Sequence, residues 1–264
     1  MVAAPEAWGA RAPECCTQEG EAYRFDWGAE GLAALAPHCA VVVIVDVLRF
    51  TTAVCCALES GAVVLPYRWA DDGAPAYALA NDAKLAGRRE DGSPFSLSPT
   101  DLLTAPAGTR LVLPSPNGST LAFMAREMGA RHVLAGSLRN ATAVARAARH
   151  LADGGPVGVV AAGERWHHDG APLRPAVEDM LGAGAVLAAL DPSAAISPPR
   201  CSTEAAAARA AFVGARPRLY DALVGCASGR ELLERGWEDD VATAAALDVS
   251  QVVPRLTAAE FRPL

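Results

Sequence analysis

A chain of 264 residues that is 52% hydrophobic and 20% charged carries enough apolar material for one large α/β domain or two smaller ones with a sizeable core, which excludes a disordered chain. Its net charge of −7 argues against a broad nucleic-acid surface but leaves room for a locally positive pocket that takes a small anion. The start, MVAAPEAWGARAPECC, lacks the basic opening and apolar run of a secretion signal. No stretch of about twenty apolar residues follows, so no membrane partner is expected and a cytoplasmic location is.

Residues 41–48 form an apolar run interrupted only by Asp46, which suits a strand buried on both faces of a largely parallel sheet. Residues 51–60 read as a helix ended by Gly61, 62–66 as a second strand and 74–85 as a second helix. A polar loop over 87–100 leads into a short strand at 110–113, the turn Ser115-Pro116-Asn117-Gly118 and a helix over 120–128. The unit then repeats as strand 131–135, loop 136–139 and helix 140–151, with Asn140 at its N-cap. One more strand at 156–162 precedes an Ala/Leu-rich helix over 176–190. This alternation predicts an α/β fold, a mostly parallel or mixed sheet sandwiched by helices, with loops and ligands at the carboxyl edge. After a Pro/Ser-rich linker at 191–200, residues 202–246 read as helical before the short tail SQVVPRL. The expected organisation is an α/β core over residues 1–190 and a helical C-terminal portion, 191–264, packed on the same domain.

Four stretches could carry chemistry. In VVVIVDVLRFTT, Asp46 sits near the end of an apolar strand, where an unpaired carboxylate is costly to bury. A divalent cation or Arg49 would compensate it, and Thr51 and Thr52 at the next helix start could offer donors to a phosphate; a structural Asp that caps the turn or pairs with Arg49 is the plainer alternative. The turn PSPNGST, with Asn117, Gly118 and Ser119, exposes backbone N–H groups that can cradle an oxyanion, although Asn-Gly is also an ordinary turn. GSLRNAT repeats that arrangement one unit later with Ser137, Arg139 and Asn140. Glu178 and Asp179 open a long apolar helix, where acids favour the positive end of the macrodipole; turned toward Asp46 instead, they would complete a set of hard oxygen ligands for Mg²⁺. The loop AAGERWHHDGAPLRP gathers Glu164, Arg165, His167, His168, Asp169 and Arg174. Of these, Arg165 and Arg174 are the candidates for gripping phosphate or sulfonate in a fork geometry. The seven cysteines show no zinc spacing and read as reduced thiols, with Cys55 and Cys56 packing on the helix after Asp46.

Together these stretches resemble the 2-phosphosulfolactate phosphatase family. VVVIVDVLRFTTAVCCALESGA is similar to its strand ending in Asp-Val-Leu-Arg, NGST to its Asn-Gly-Thr loop, GSLRNATAVA to its Gly-Ser-x-x-Asn-Ala segment, and VEDMLGAGAVL to its Glu-Asp followed by Ala-Gly. The likeness runs in order from residue 41 to residue 256. It implies an α/β fold and Mg²⁺-dependent release of phosphate from 2-phospho-3-sulfolactate, a step toward coenzyme M. It also implies a metal near Asp46 and Glu178 or Asp179, with Arg49 and the loops around Asn117, Gly118 and Asn140 on phosphate. Two departures mark a divergent branch. Gly87-Arg88-Arg89 and FSLSP replace a Gly-Glu-Arg and a Gly-Asn-Ser-Pro segment, and the loop over 163–174 is longer than the family's link. The expected partner is a small anionic phosphoester, with association into a homo-oligomer left open. A non-catalytic anion-binding or regulatory protein on the same fold is the competing reading.

Overall fold

The computed structural model describes residues 13–68, 72–89, 92–166, 172–192 and 200–264. The first described strand is β1 (Tyr23–Trp27), followed by a helix, α1 (Gly28–Leu35); neither is among the elements expected from sequence. The strand is short and carries Arg24 and Asp26, so it lacks a clean apolar signature. Arg24 is nonetheless buried, donating to the carbonyls of Glu21 and Thr17 at 3.0 and 2.8 Å. There follow β2 (Val41–Val45), α2 (Phe50–Glu59), β3 (Val63–Tyr67), α3 (Gly73–Ala80), β4 (Lys84–Leu85), α4 (Pro99–Leu102), β5 (Arg110–Pro114), α5 (Gly118–Glu127), β6 (His132–Gly136), α6 (Ala141–Ala152) and β7 (Val157–Ala161). The expected helix over 74–85 is shorter because Asp82 takes a left-handed conformation, φ 48°. Lys84 and Leu85 then pair with β5 at the sheet edge.

A small antiparallel pair, β8 (Glu164–Arg165) and β9 (Leu173–Arg174), leads to α7 (Val177–Leu190). Four helices follow, α8 (Thr203–Ala215), α9 (Leu219–Gly225), α10 (Ala227–Glu234) and α11 (Glu238–Ala245), before β10 (Pro254–Leu256) and β11 (Phe261–Pro263). His167, His168 and Asp169 lie outside the described residues.

Nine strands form one mixed sheet in the order β1-β7-β2-β6-β10-β11-β3-β5-β4. Every residue of β2 is fully buried, as its unbroken Val/Ile composition requires. Side chains alternate across the strand: Val42 and Ile44 join the layer built with α1, α2 and α5, while Val41, Val43 and Val45 join that of α6, α7 and α8. Among these strands, β1, β7, β2 and β6 are mutually parallel, as are β3, β5 and β4.

The tail joins the two parallel groups. It is a hairpin, antiparallel to β6 through Arg255 and Leu134 and to β3 through Phe261 and Val64. Its period-2 signal is only three residues per strand, too short to stand out in sequence. Phe261 is fully buried and meets Phe50 edge-on, ring centroids 6.2 Å apart. Truncating so large a side chain in a closed core costs about 3–5 kcal/mol. Phe261→Ala is therefore expected to lower the urea midpoint strongly; a variant within experimental error of wild type would show that the hairpin is peripheral to the fold.

Candidate functional site

The carboxyl ends of β2, β5 and β7 are brought together by side chains that bond to the main chain of their neighbours. Asp46 follows β2 and is 6% exposed. Its Oδ1 accepts from the Phe50 N–H at 3.0 Å, at the start of α2, and its Oδ2 from the Gly118 N–H at 2.9 Å, at the start of α5. Gly118 is required there by close approach: a Cβ would stand 2.8 Å from Asp46 Oδ2 and closer still to the Phe50 ring. Asp179, in the first turn of α7, ties the other flank. Its Oδ1 accepts from the Val47 N–H at 2.7 Å and its Oδ2 from the Gly163 N–H at 2.9 Å.

Burial pushes the Asp46 carboxyl up to about 7; the Phe50 and Gly118 N–H groups pull the other way, while Glu164 and Glu178 add to the rise. Asp179 is raised well above the ordinary range, by burial first and then by Asp46 and Glu178. Glu178 is 2% exposed, and its Oε2 is buried with no hydrogen-bond partner.

A cavity of about 190 Å³ opens beside Asp46, lined also by Arg49, Asn117, Glu164, Arg235 and Trp237. Glu164 Oε1 accepts from Asn117 Nδ2 at 3.0 Å and from the Arg165 N–H at 2.8 Å. Acids and guanidinium groups thus share the lining, where Glu231 also pairs with Arg235 at 2.7 Å. Arg49 packs over the Trp237 ring at 4.6 Å and Arg235 over the same ring at 5.3 Å.

Among the candidates from sequence, Asp46, Arg49 and Asn117 line this cleft, and Gly118 bonds to Asp46 from its edge. Others are spent elsewhere. The Thr51 and Thr52 hydroxyls donate to the carbonyls of Asp46 and Val47 at 2.8 and 2.7 Å, so they close the first turn of α2 and have no proton left for a phosphate. Ser119 Oγ donates to the carbonyls of Tyr67 and Ser115. Ser137 and Asn140 form a reciprocal cap: Asn140 Oδ1 accepts from the Ser137 N–H at 2.9 Å. Asn140 Nδ2 donates to the Val252 carbonyl at 3.0 Å. That loop fastens the C-terminal tail. Arg139, from the same loop, pairs with Glu59 at 2.9 Å. Arg174 reaches the cleft wall through Ser228 Oγ at 3.2 Å. Arg165 lines a neighbouring cavity of about 520 Å³ on the other side of Asn117, with Met124 and Leu173.

Among the described residues, no three His, Cys, Asp or Glu side chains form a ready metal cluster, so Asp46, Glu178 and Asp179 are not a three-carboxylate cage. Cys55 and Cys56 are fully buried, and burial pushes their thiols up to about 11 and about 12, which is packing rather than nucleophile chemistry. Three cleft residues escaped selection from sequence. Glu164 stands in the charged loop beside more conspicuous arginines, and Arg235 and Trp237 lie in the turn between α10 and α11, whose relation to Asp46 is purely tertiary. No described helix is long and apolar enough to cross a membrane.

This geometry defines an α/β protein with a charged cleft where the carboxyl ends of three strands meet. A family model described as 2-phosphosulpholactate phosphatase matches residues 32–259. A protein of Thermus thermophilus called probable 2-phosphosulfolactate phosphatase is 33% identical over 220 residues, 82% of this chain and 87% of the relative. Proteins so named from Gloeobacter violaceus and Deinococcus radiodurans are 32% and 31% identical, each over 84% of this chain and 90% of its own length. The chain belongs to the 2-phosphosulfolactate phosphatase family.

The raised carboxyls set a direction for stability. In the folded protein Asp46 keeps its proton up to about 7, whereas an unfolded Asp loses it near the ordinary 3.8. The folded state therefore binds more protons between those values, and its stability falls as pH rises through that window. Metal-free protein is expected to melt at progressively lower temperature from pH 4.5 to pH 7.5, and Asp46→Asn to flatten that slope. Parallel slopes for the two proteins in EDTA would count against Asp46 as the strained group.

Proposed function

We propose that this protein is a Mg²⁺-dependent phosphatase that hydrolyses a small anionic phosphoester, 2-phospho-3-sulfolactate to 3-sulfolactate and phosphate. The observation that carries this reading is the cleft beside Asp46, a space of about 190 Å³ whose lining brings Asp46 and Glu164 together with Arg49 and Arg235. Family membership supplies the phosphoester, and the name borne by the relatives supplies the sulfolactate portion. A place in coenzyme M formation belongs to the same proposal. A cytoplasmic setting fits seven cysteines that are all free thiols.

Magnesium fits these residues. The acids are hard oxygen donors, and such sites use one or two carboxylates plus water and substrate phosphate. Asp46 and Glu164 would hold the ion, and the unpartnered Glu178 Oε2 supports an unbalanced acidic environment behind them. The chemistry an ion supplies there is neutralisation of phosphoryl charge and polarisation of the phosphoryl group.

The chain's own residues do the rest. Arg49 offers planar N–H donors to the phosphoryl oxygens in the manner that suits a guanidinium. The N–H groups of Phe50 and Gly118 hold the Asp46 carboxylate in one orientation. Bound to the ion, Asp46 would be an unprotonated carboxylate, so its raised proton affinity belongs to the metal-free protein. Asn117 orients Glu164 by its amide.

The test is phosphate release from 2-phospho-3-sulfolactate, phospholactate and phosphoglycolate, with Mg²⁺ or with EDTA. Turnover is expected only with Mg²⁺. Asp46→Asn is expected to remain folded and to lose turnover together with Mg²⁺ binding. Saturating Mg²⁺ should also raise the melting temperature of wild type, since a ligand at about 100 times its Kd contributes about 2.7 kcal/mol. Folded protein that turns over none of the three esters sinks the enzymatic reading, and tight phosphate binding without turnover would favour a non-catalytic anion-binding protein.

A further inference from the structure

Asp240 lies on α11, far in sequence from the motifs around Asp46, and is fully buried. Its Oδ2 accepts from Arg49 Nη1 at 2.8 Å and stands 3.7 Å from Arg89 Nη1. Its Oδ1 accepts from Ser98 Oγ at 2.5 Å. Two arginines and a hydroxyl therefore converge on one carboxylate that has no surface of its own in the cleft. Arg49 does have one: it lines the cavity beside Asp46 with its side chain 17% exposed. Arg89 and Ser98 come from the segment over 87–99.

A guanidinium on a flexible stem recognises phosphate tightly only when its fork is held before the ligand arrives, because otherwise the ordering entropy is lost on binding. Asp240 fixes one end of the Arg49 fork and the Trp237 face fixes its plane. A lone buried carboxylate would resist giving up its only cation, because an uncompensated buried charge is costly. Arg89, itself also paired with Asp101 at 3.2 Å, leaves Asp240 a second cation when Arg49 shares its charge with a bound anion.

We propose that Asp240 is the positioning residue for Arg49: it aims the remaining guanidinium N–H groups into the cleft, and Arg89 keeps Asp240 compensated while the phosphoryl group is bound. This rests on the reading that phosphate sits at Arg49.

The experiment measures binding of inorganic phosphate by calorimetry, and kcat and KM for phosphate release, on the full chain. Four proteins are compared: wild type, Arg49→Lys, Asp240→Asn and the double variant. Each single change is expected to weaken phosphate binding and raise KM by about tenfold or more, and Asp240→Asn to keep kcat within about threefold. The double variant should be no worse than the weaker-binding single, because both remove one coupled interaction. A merely structural Asp240 would lower the melting temperature and the active fraction without moving KM, and its effect would multiply with that of Arg49→Lys; either result overturns the inference. Should Asp240→Asn fail to fold, Asp240→Glu carries the same test. It keeps the negative charge beside Arg89 but shifts Arg49 by about one methylene, so unchanged phosphate affinity in it is equally fatal. Wild type that binds no phosphate, or Arg49→Lys that binds it normally, defeats the phosphate site itself; normal binding by Asp240→Asn alone defeats only the role given to Asp240.

Discussion

The Asp46 carboxylate, accepting the Phe50 and Gly118 N–H groups with one oxygen each, is the junction on which the site's geometry depends. It ties the end of β2 to the first turns of α2 and α5, and through α5 to β5. Two helix starts supply partial positive charge to that carboxylate, yet burial and the neighbouring acids still push it up to about 7. The junction is therefore held geometrically and left electrically unsatisfied. A site of this kind favours whatever brings positive charge to it.

Asp179 plays the complementary part. Both of its oxygens are occupied by backbone N–H groups, from Val47 and Gly163, so it fixes the two segments from which Leu48, Arg49 and Glu164 enter the cleft. Adjacent residues of one helix thus divide the work. Asp179 locks the strand ends, and Glu178 contributes a buried charge whose second oxygen is unpartnered. The pair reads identically in sequence, as two acids at a helix start, because the i and i+1 side chains of a helix point about 100° apart and only the packing decides which one meets main chain.

What sequence made legible follows from periodicity and local chemistry. The all-apolar run ending in Asp46, the strand-helix alternation through α7 and the Asn-Gly turn are local signals, and each stands within a few residues of its expected bounds. What stayed hidden depends on contacts between distant segments. Thr51, Thr52, Ser119 and Asn140 have the right chemistry for an anion, but their hydroxyl and amide groups are claimed by backbone carbonyls that no spacing rule reveals. The reverse holds for Glu164 and Trp237, which carry no motif and gain their meaning from facing Asp46. Similarly, β10 and β11 are too short to announce themselves, although Phe261 sits at the centre of the sheet.

The C-terminal third therefore cannot be treated as a mere cover over the older-looking α/β pattern. Its hairpin closes the sheet between β6 and β3, Asn140 grips it through Val252, and α11 brings Asp240 and the adjoining Trp237 to Arg49. The segment over 87–99 meets the same carboxylate through Arg89 and Ser98. A change in that segment can thus alter anion recognition without touching the ligand, by shifting the balance of charge on Asp240. Arg rather than Lys at position 89 suits this role, since a guanidinium stays ionised when half buried and can serve Asp101 and Asp240 with different nitrogens of one fork. The C-terminal helices and the segment over 87–99 thus meet one layer behind the cleft, at the carboxylate that pairs with Arg49, while the Asp46 junction in front is built from main-chain N–H groups.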